Sequence, residues 1–296
     1  MLWRLFAALI GKLPYRALRP LGKVAAFLAF DLLRIRRKHV VHAMERAGVG
    51  GVDLARESYR SLGAGALELL WLAGRPRAPL AEVVRIAGWE RFERAHARGR
   101  GVVVATAHTG NWDLAACACA ARTELAVVTK RLRARGLDAF WQGTRKARGL
   151  DLIAPGSEGI LPAVRARLAR GSSIALLVDQ DPRRSHGVVD APFLGAPAVH
   201  DSFPATVAAR SGAPLVVAFA RRLDDGTHVV DVVDVHVPPE RAGSAWIAAT
   251  TRAIAEALDA YVRADPKCWL WLHRRWKTQP RARGDVPRVE PHELRA

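Results

Sequence analysis

His108 and Asp113 stand five positions apart in the stretch AHTGNWD, residues 107–113, with Gly110, Asn111 and Trp112 between them. An imidazole is well suited to taking a proton near neutral pH, and a carboxylate on one ring nitrogen fixes which nitrogen is free to do so. A spacing of five does not bring two side chains to one face of a regular helix, where partners lie three or four apart. The pair meets only if His108 lies in a loop and Asp113 in the first turn of the helix that follows, where a carboxylate also suits the helix dipole. Asp113 then accepts a hydrogen bond from the ring and leaves the other nitrogen free as a general base. No Ser or Cys occupies an elbow such as GxSxG, so the attacking hydroxyl or amine belongs to the acceptor.

The elements around this stretch suit that placement. GVVVAT (101–106) is a short β-branched run of the kind found in buried strands, and it leads directly into the His108 loop. Apolar runs follow at 125–129, 151–154, 173–179, 214–220 and 229–237. Helical patterning is read at 52–72, 112–122, 136–148, 159–170, 201–211 and 244–263. Strands alternating with helices predict an α/β fold with a central mixed, largely parallel sheet flanked by helices, and the alternation in VVDVVDVHV adds an antiparallel edge. Ligands of such sheets bind beyond the carboxyl ends of the strands. Asp179 ends the run SIALLVD, which places it, with Gln180 and Asp181, on the same sheet edge as His108.

Four stretches together resemble one family. HTGNWD resembles the H-x4-D/E motif of acyltransferases that esterify glycerol and sugar lipids. TRKARGLDLIAP (144–155), LLVDQDPRRSHGVVDAPFLGAPA (176–198) and WLWLHRRWKTQP (269–280) resemble the lipid A biosynthesis late acyltransferases, over nearly the whole chain. The resemblance implies a glycerol-phosphate acyltransferase-like fold. It also implies transfer of a fatty acyl chain from an acyl carrier protein thioester to a hydroxyl of a lipid A precursor, at the cytoplasmic face of the inner membrane. His108 would be the general base, Asp113 its orienting partner, Arg145 the cation that stabilises the oxyanion, and Asp179 a supporting acid. Asn111 and Trp112 belong to the motif. Asp113 stands where family members often carry Glu, and related branches that acylate mannosylated phosphatidylinositol or amino-acid lipids share the pattern. Another acceptor, with acyl-CoA as donor, stays open as the alternative.

Outside those motifs the residues read less sharply. Between Lys130 and Arg148 seven basic residues accompany one acid, Asp138, a patch suited to acceptor phosphates or to an acidic carrier; a solvated helix face accounts for most of it equally well. Phe193, in a Gly/Pro/aromatic loop, is a candidate wall of an acyl pocket or a buried anchor of that loop. In WLWLHRRWK, His273 and Arg275 sit among aromatics and suit an interfacial belt with headgroup contacts; for His273 a structural or headgroup role is preferred over that of a second catalytic base.

The charge narrows the partners. Lys and Arg number 46 against 28 Asp and Glu, a formal excess of +18, which favours anionic partners. Residues 1–40 hold nine basic residues and one acid, Asp31, interleaved with Trp3, Leu5, Phe6, Leu9, Ile10, Phe27, Leu28 and Phe30. That is the composition of an amphipathic segment lying in a headgroup region, or of a helix packed on its own domain. No apolar run there reaches the roughly 20 residues needed to span a bilayer, and VAAFLAFDLL followed by RIRRKH is unlike a cleaved signal. The expected organisation is a membrane-associating segment (1–40), an acyltransferase domain (41–280) and a loose tail (281–296). Partners follow as an acyl carrier protein, a lipid acceptor and an anionic membrane surface. No glycine-flanked aromatic stacking motif supports nucleic acid, although a basic binding protein without chemistry remains the rival class. Cys117, Cys119 and Cys268 lack metal or disulfide spacing, so neither metal nor cofactor is expected beyond the acyl-carrying co-substrate.

Overall fold

The computed structural model describes residues 2–154, 159–182, 184 and 186–277; the expected tail lies outside them. In chain order the elements are α1 (Leu2–Ile10), α2 (Leu18–Ala26), α3 (Arg37–Arg46), α4 (Val52–Gly74), β1 (Val84–Ala87), α5 (Trp89–His96), β2 (Val102–Thr106), α6 (Trp112–Ala120), β3 (Leu125–Val128) and α7 (Arg135–Ala147). They continue with β4 (Asp151–Ile153), α8 (Leu161–Ala169), β5 (Ser173–Leu177), β6 (Val188–Phe193), β7 (Ala196–Asp201), α9 (Phe203–Ser211), β8 (Leu215–Arg222), β9 (His228–His236) and α10 (Ser244–Ala264). A π-helical turn, Phe27–Leu32, extends α2.

Seven strands form one sheet in the order β1-β9-β8-β2-β5-β3-β4. Strands β8, β2, β5, β3 and β4 run parallel, as their separate helical crossovers require. The β8–β9 hairpin reverses direction, and β1 joins β9 in parallel at the edge. The mixed, largely parallel α/β sheet read from the sequence is therefore observed. Strand β1 and helix α5, too short for their periodicity to stand out, are additions.

Two apolar clusters cover the two faces. Val103, Ala105, Ile174, Leu176, Leu215 and Val217 pack with helices α8, α9 and α10. Leu114 and Cys117 of α6, Phe92 of α5 and Leu72 of α4 pack over the other face, against Val102, Val216 and Val230. The second face is less complete. Val104, in the middle of a central strand, and Thr106 at its end stay partly accessible, as does Ala175 beside them. Central strands of a parallel sheet are normally covered on both sides; here a cavity takes the place of part of the cover.

The stretch expected as a Gly/Pro loop forms instead the antiparallel hairpin β6–β7, packed on α10. Its turn is made by Leu194 and Gly195, both at positive φ (50° and 76°), the conformation a two-residue hairpin turn needs. The Leu194 amide is held by the Asp259 carboxylate of α10.

Helices α1 and α2 lie against α4 with their backbones in contact. A Cβ at Gly63 would meet the Gly22 carbonyl, and one at Gly74 the carbonyl of Ala7. Leu18 and Phe30 are buried beneath this layer, whereas Leu2, Leu5, Phe6, Leu9, Val24, Phe27, Leu28, Leu32 and Leu33 are exposed. No helix among the described residues is long and apolar enough to cross a membrane.

Candidate active site

The parallel register explains the centre of the site. Thr106 of β2 is level with Leu177 of β5, so His108 and Asp179, each two residues past those positions, leave neighbouring strands side by side. His108 Nδ1 lies 2.9 Å from Asp179 Oδ1, and the second carboxylate oxygen accepts from Trp269 Nε1 at 2.9 Å. With Nδ1 donating to Asp179, Nε2 is the unprotonated nitrogen of the neutral ring. The carboxylate is 0% exposed and the imidazole 12%.

The loop carrying His108 is fixed from several directions. Gly110 has φ +55°, and a Cβ there would stand 2.9 Å from the Ala220 backbone of β8. Only glycine satisfies both conditions without rearrangement. Thr109 Oγ1 accepts the Ala220 amide at 3.1 Å. The segment after α10 closes over the loop: the Gly110 amide donates to the Cys268 carbonyl (2.7 Å) and the Leu270 amide to the His108 carbonyl (3.0 Å). Asn111 caps α6 by accepting the Leu114 amide at 3.1 Å. Its amide group donates to Glu68 Oε2 at 2.9 Å. Glu68 is buried and also receives Arg222 and His228.

Asp113 does not bond His108 in this arrangement, contrary to the sequence expectation. Its Oδ1 accepts from Arg145 Nε at 2.6 Å, and the Trp141 side chain also contributes a hydrogen bond to this carboxylate. Asp113 starts α6, Arg145 lies in the last turn of α7, and both line the cavity. Arg145 Nη1 also donates to Thr129 Oγ1 (3.0 Å), which steadies the guanidinium. The site thus holds two carboxylates with separate tasks: Asp179 on the imidazole and Asp113 on the guanidinium.

Electrostatics follow from these contacts. Burial pushes the Asp179 carboxyl up, but the adjacent imidazole and its two hydrogen bonds outweigh that and bring it down to about 2. Burial pushes the His108 pKa down, and the Asp179 charge and hydrogen bond, with help from Asp113, raise it above the ordinary histidine value. For Asp113, burial prevails over Arg145 and the carboxyl is raised. His273, whose ring meets that of His108 edge-on at 5.0 Å, is lowered by burial and by His108.

The remaining expected residues divide. Gln180 lines the cavity and its amide donates to His273 Nε2 at 3.3 Å. Trp112 stands edge-on to His108 at 4.9 Å. Lys130 and Asp181 line the cavity mouth, and Asp181 accepts the Lys277 amide at 2.9 Å. Phe193 and Arg275 do not reach the cavity. Phe193 is fully buried beneath the β6–β7 hairpin, 5.3 Å from the Trp269 ring. Arg275, 1% exposed, donates to the Val199 carbonyl at 2.8 Å and lies against His200. It is an internal strut rather than a headgroup contact, because the hairpin folds over it. Trp269 and Glu68 were not singled out from the sequence; only the aromatic density of WLWLH hinted at the first.

The cavity measures about 660 Å³ and runs from His108, Arg145 and Gln180 under α6 along the open sheet face, past Val104, Ala175 and Ala218 toward Trp89 and Phe92. Its walls are mainly apolar away from the His108 end, the form of a site for a hydrocarbon chain with its reactive group at the polar mouth. Among the described residues no cluster of three or more His, Cys, Asp or Glu could hold a metal.

The chain is similar to known proteins along most of its length. A model of the family described as "Bacterial lipid A biosynthesis acyltransferase" matches residues 2–278. The chain is 29% identical over 198 residues to a phosphatidylinositol mannoside acyltransferase of Mycobacterium tuberculosis, a match that spans 64% of this chain and 59% of that protein. It is 26% identical over 228 residues to the protein of the same name from Mycolicibacterium smegmatis, spanning 76% and 72%. Among solved structures, the 1-acyl-sn-glycerophosphate (LPA) acyltransferase PlsC from Thermotoga maritima is similar with a TM-score of 0.41 at 10% identity, over 83% of this chain and 97% of that one.

Proposed function

Given that the chain belongs to the bacterial lipid A biosynthesis acyltransferase family, we propose that it moves a fatty acyl chain from a thioester to a hydroxyl of a phosphate-bearing glycolipid. The observation that carries this reading is the His108–Asp179 pair at the polar mouth of an apolar cavity large enough for an acyl chain. His108 Nε2 removes the proton of the acceptor hydroxyl, and that oxygen attacks the thioester carbonyl. Arg145, held by Asp113, faces the oxyanion that forms. As the intermediate collapses the C–S bond breaks, and the His108 imidazolium returns the proton to the departing thiolate. The products are the lipid ester and the free carrier thiol, with no acyl-enzyme between.

A mannosylated phosphatidylinositol is the favoured acceptor, on the names of the relatives quoted above. A lipid A precursor, on the family description, is the second reading. The donor is a fatty acyl thioester of acyl carrier protein or of coenzyme A. The basic residues at the mouth, Lys130 with Arg131 and Arg133 beside it, suit the phosphates or the acidic surface of either. The exposed apolar side chains of α1, α2 and the π-helical turn, interleaved with Arg and Lys, lie on the membrane that presents the lipid. The test is transfer of radiolabelled palmitoyl groups from each donor to each acceptor in mixed micelles. Label on the mannosylated lipid is the expected result; label on the lipid A precursor alone exchanges the two acceptors, and label on neither removes the reading.

A further inference from the structure

The turn that joins the π-helical segment to α3 brings together Arg34, Arg36, Arg37, Lys38 and His39, and these side chains line a concavity of about 530 Å³, separate from the acyl cavity. Among the described residues no carboxylate lines it. Arg37 is drawn back toward Asp31, at 3.9 Å, and over the Phe30 ring. Arg34 and Lys38 are exposed and make no ion pair among the described residues. Like charges that line one concavity repel one another, more strongly the less water separates them. An anion in the concavity converts that repulsion into attraction.

The turn is also tied to the active site. Arg36 Nη1 donates to the Leu272 carbonyl at 2.6 Å, and His39 Nε2 to the His273 carbonyl at 3.1 Å. The same segment holds the His108 loop through the Leu270 amide. A group bound in the concavity is therefore registered against His108 by main-chain contacts. Leu32, Leu33 and Ile35, next to these residues in the chain, are exposed. A ligand that satisfies both surroundings carries an anionic group next to hydrocarbon, and Arg and Lys favour the several acceptor oxygens of a phosphate.

We propose that the Arg34–His39 turn binds the headgroup phosphate of the acceptor lipid and so selects acceptors in which a phosphate adjoins the acyl chains. The proposal rests on the acyltransfer reading only in naming that lipid the acceptor.

The test uses the full chain and a soluble phosphodiester lipid, dihexanoyl phosphatidylinositol kept below its micelle concentration, with binding followed by calorimetry. Arg34→Gln/Lys38→Gln is compared with Arg16→Gln/Lys23→Gln, which removes the same charge from exposed positions elsewhere in the N-terminal layer. The proposal predicts binding weakened about tenfold in the first pair and unchanged within about twofold in the second, since two partly exposed contacts contribute roughly that much. Arg34→Lys/Lys38→Arg, which keeps the charge, retains most of the binding and controls for folding. Equal weakening in both Gln pairs overturns the site in favour of net charge. Inorganic phosphate that binds as tightly as the lipid overturns the lipid assignment. Coenzyme A that displaces the lipid, with its own binding lost in the first pair, assigns the turn to the donor. Because binding is read without turnover, a protein that binds here but transfers nothing contradicts the acyltransfer reading alone. A protein that transfers but loses no binding in the first pair contradicts this site alone.

Discussion

Asp179, not Asp113, holds the imidazole of His108: Asp179 Oδ1 lies 2.9 Å from Nδ1, while Asp113 is engaged by Arg145 at 2.6 Å. The two carboxylates are therefore separable by experiment.

The pH dependence separates them first. His108 serves as a base only when neutral, so kcat/KM rises with pH through its raised pKa. Asp179→Asn removes the nearest charge that holds a proton on the ring, which moves the acid limb to lower pH while the plateau falls by about 10² or more through the lost orientation. Asp113→Asn shifts that limb less. A larger shift in the Asp113 variant, measured in pH–rate profiles of both, contradicts the assignment.

Arg145→Ala tests the second pair through stability. It leaves the Asp113 carboxylate buried without its cation, a change expected to cost about 3–5 kcal/mol. Asp113→Asn/Arg145→Ala removes both charges and is expected to be more stable than Arg145→Ala alone. Urea unfolding of the three proteins checks this, and equal destabilisation of single and double variants counts against a buried pair.

Asn111 has two tasks, accepting at the start of α6 and donating to Glu68. Asp at this position keeps the cap but sets two carboxylates against each other. Asn111→Asp is expected to cost about 2 kcal/mol, with part of it recovered in Asn111→Asp/Glu68→Gln, where the glutamine becomes the donor. An Asn111→Asp variant that unfolds at the midpoint of the parent contradicts the Asn111–Glu68 contact; Arg222 and His228, also held by Glu68, make the recovery partial.

With the acyl chain of the proposed donor in the cavity, the open sheet face sets its length. Ala175 and Ala218 are small residues on the cavity wall, and Phe in place of either fills the space of several methylenes. Each methylene left outside forfeits about 0.8 kcal/mol, so Ala175→Phe shifts preference toward shorter acyl donors, by roughly tenfold for two carbons. Competition between donors of different length reads the ratio, and an unchanged ratio places the chain elsewhere.

How far the sequence shows this site depends on how local each contact is. The strand GVVVAT and the run SIALLVD are legible because β-branched and aliphatic residues crowd into them, and both His108 and Asp179 are visible at their ends. Which carboxylate reaches the imidazole is decided by the pairing of β2 with β5 and by its register, a long-range choice that the five-residue spacing of His108 and Asp113 does not contain. The β6–β7 hairpin is hidden by Pro192, Gly195 and Pro197, which read as loop punctuation, although a hairpin outside the main sheet tolerates them. Of the two readings of Phe193 the hairpin realises the buried anchor, and it also buries Arg275, whose place among the aromatics of WLWLHRRWK suggested headgroup contacts.

Every proposed step depends on His108, held by Asp179, acting as the base for acyl transfer to a lipid hydroxyl. The most direct measurement is the single-turnover rate of labelled acyl transfer to mannosylated phosphatidylinositol by the parent protein and by His108→Ala, at equal occupancy of donor. Transfer by the parent and a loss of about 10² to 10⁴ in the variant are expected, with the fold unchanged by circular dichroism. A variant that transfers as fast as the parent contradicts that role.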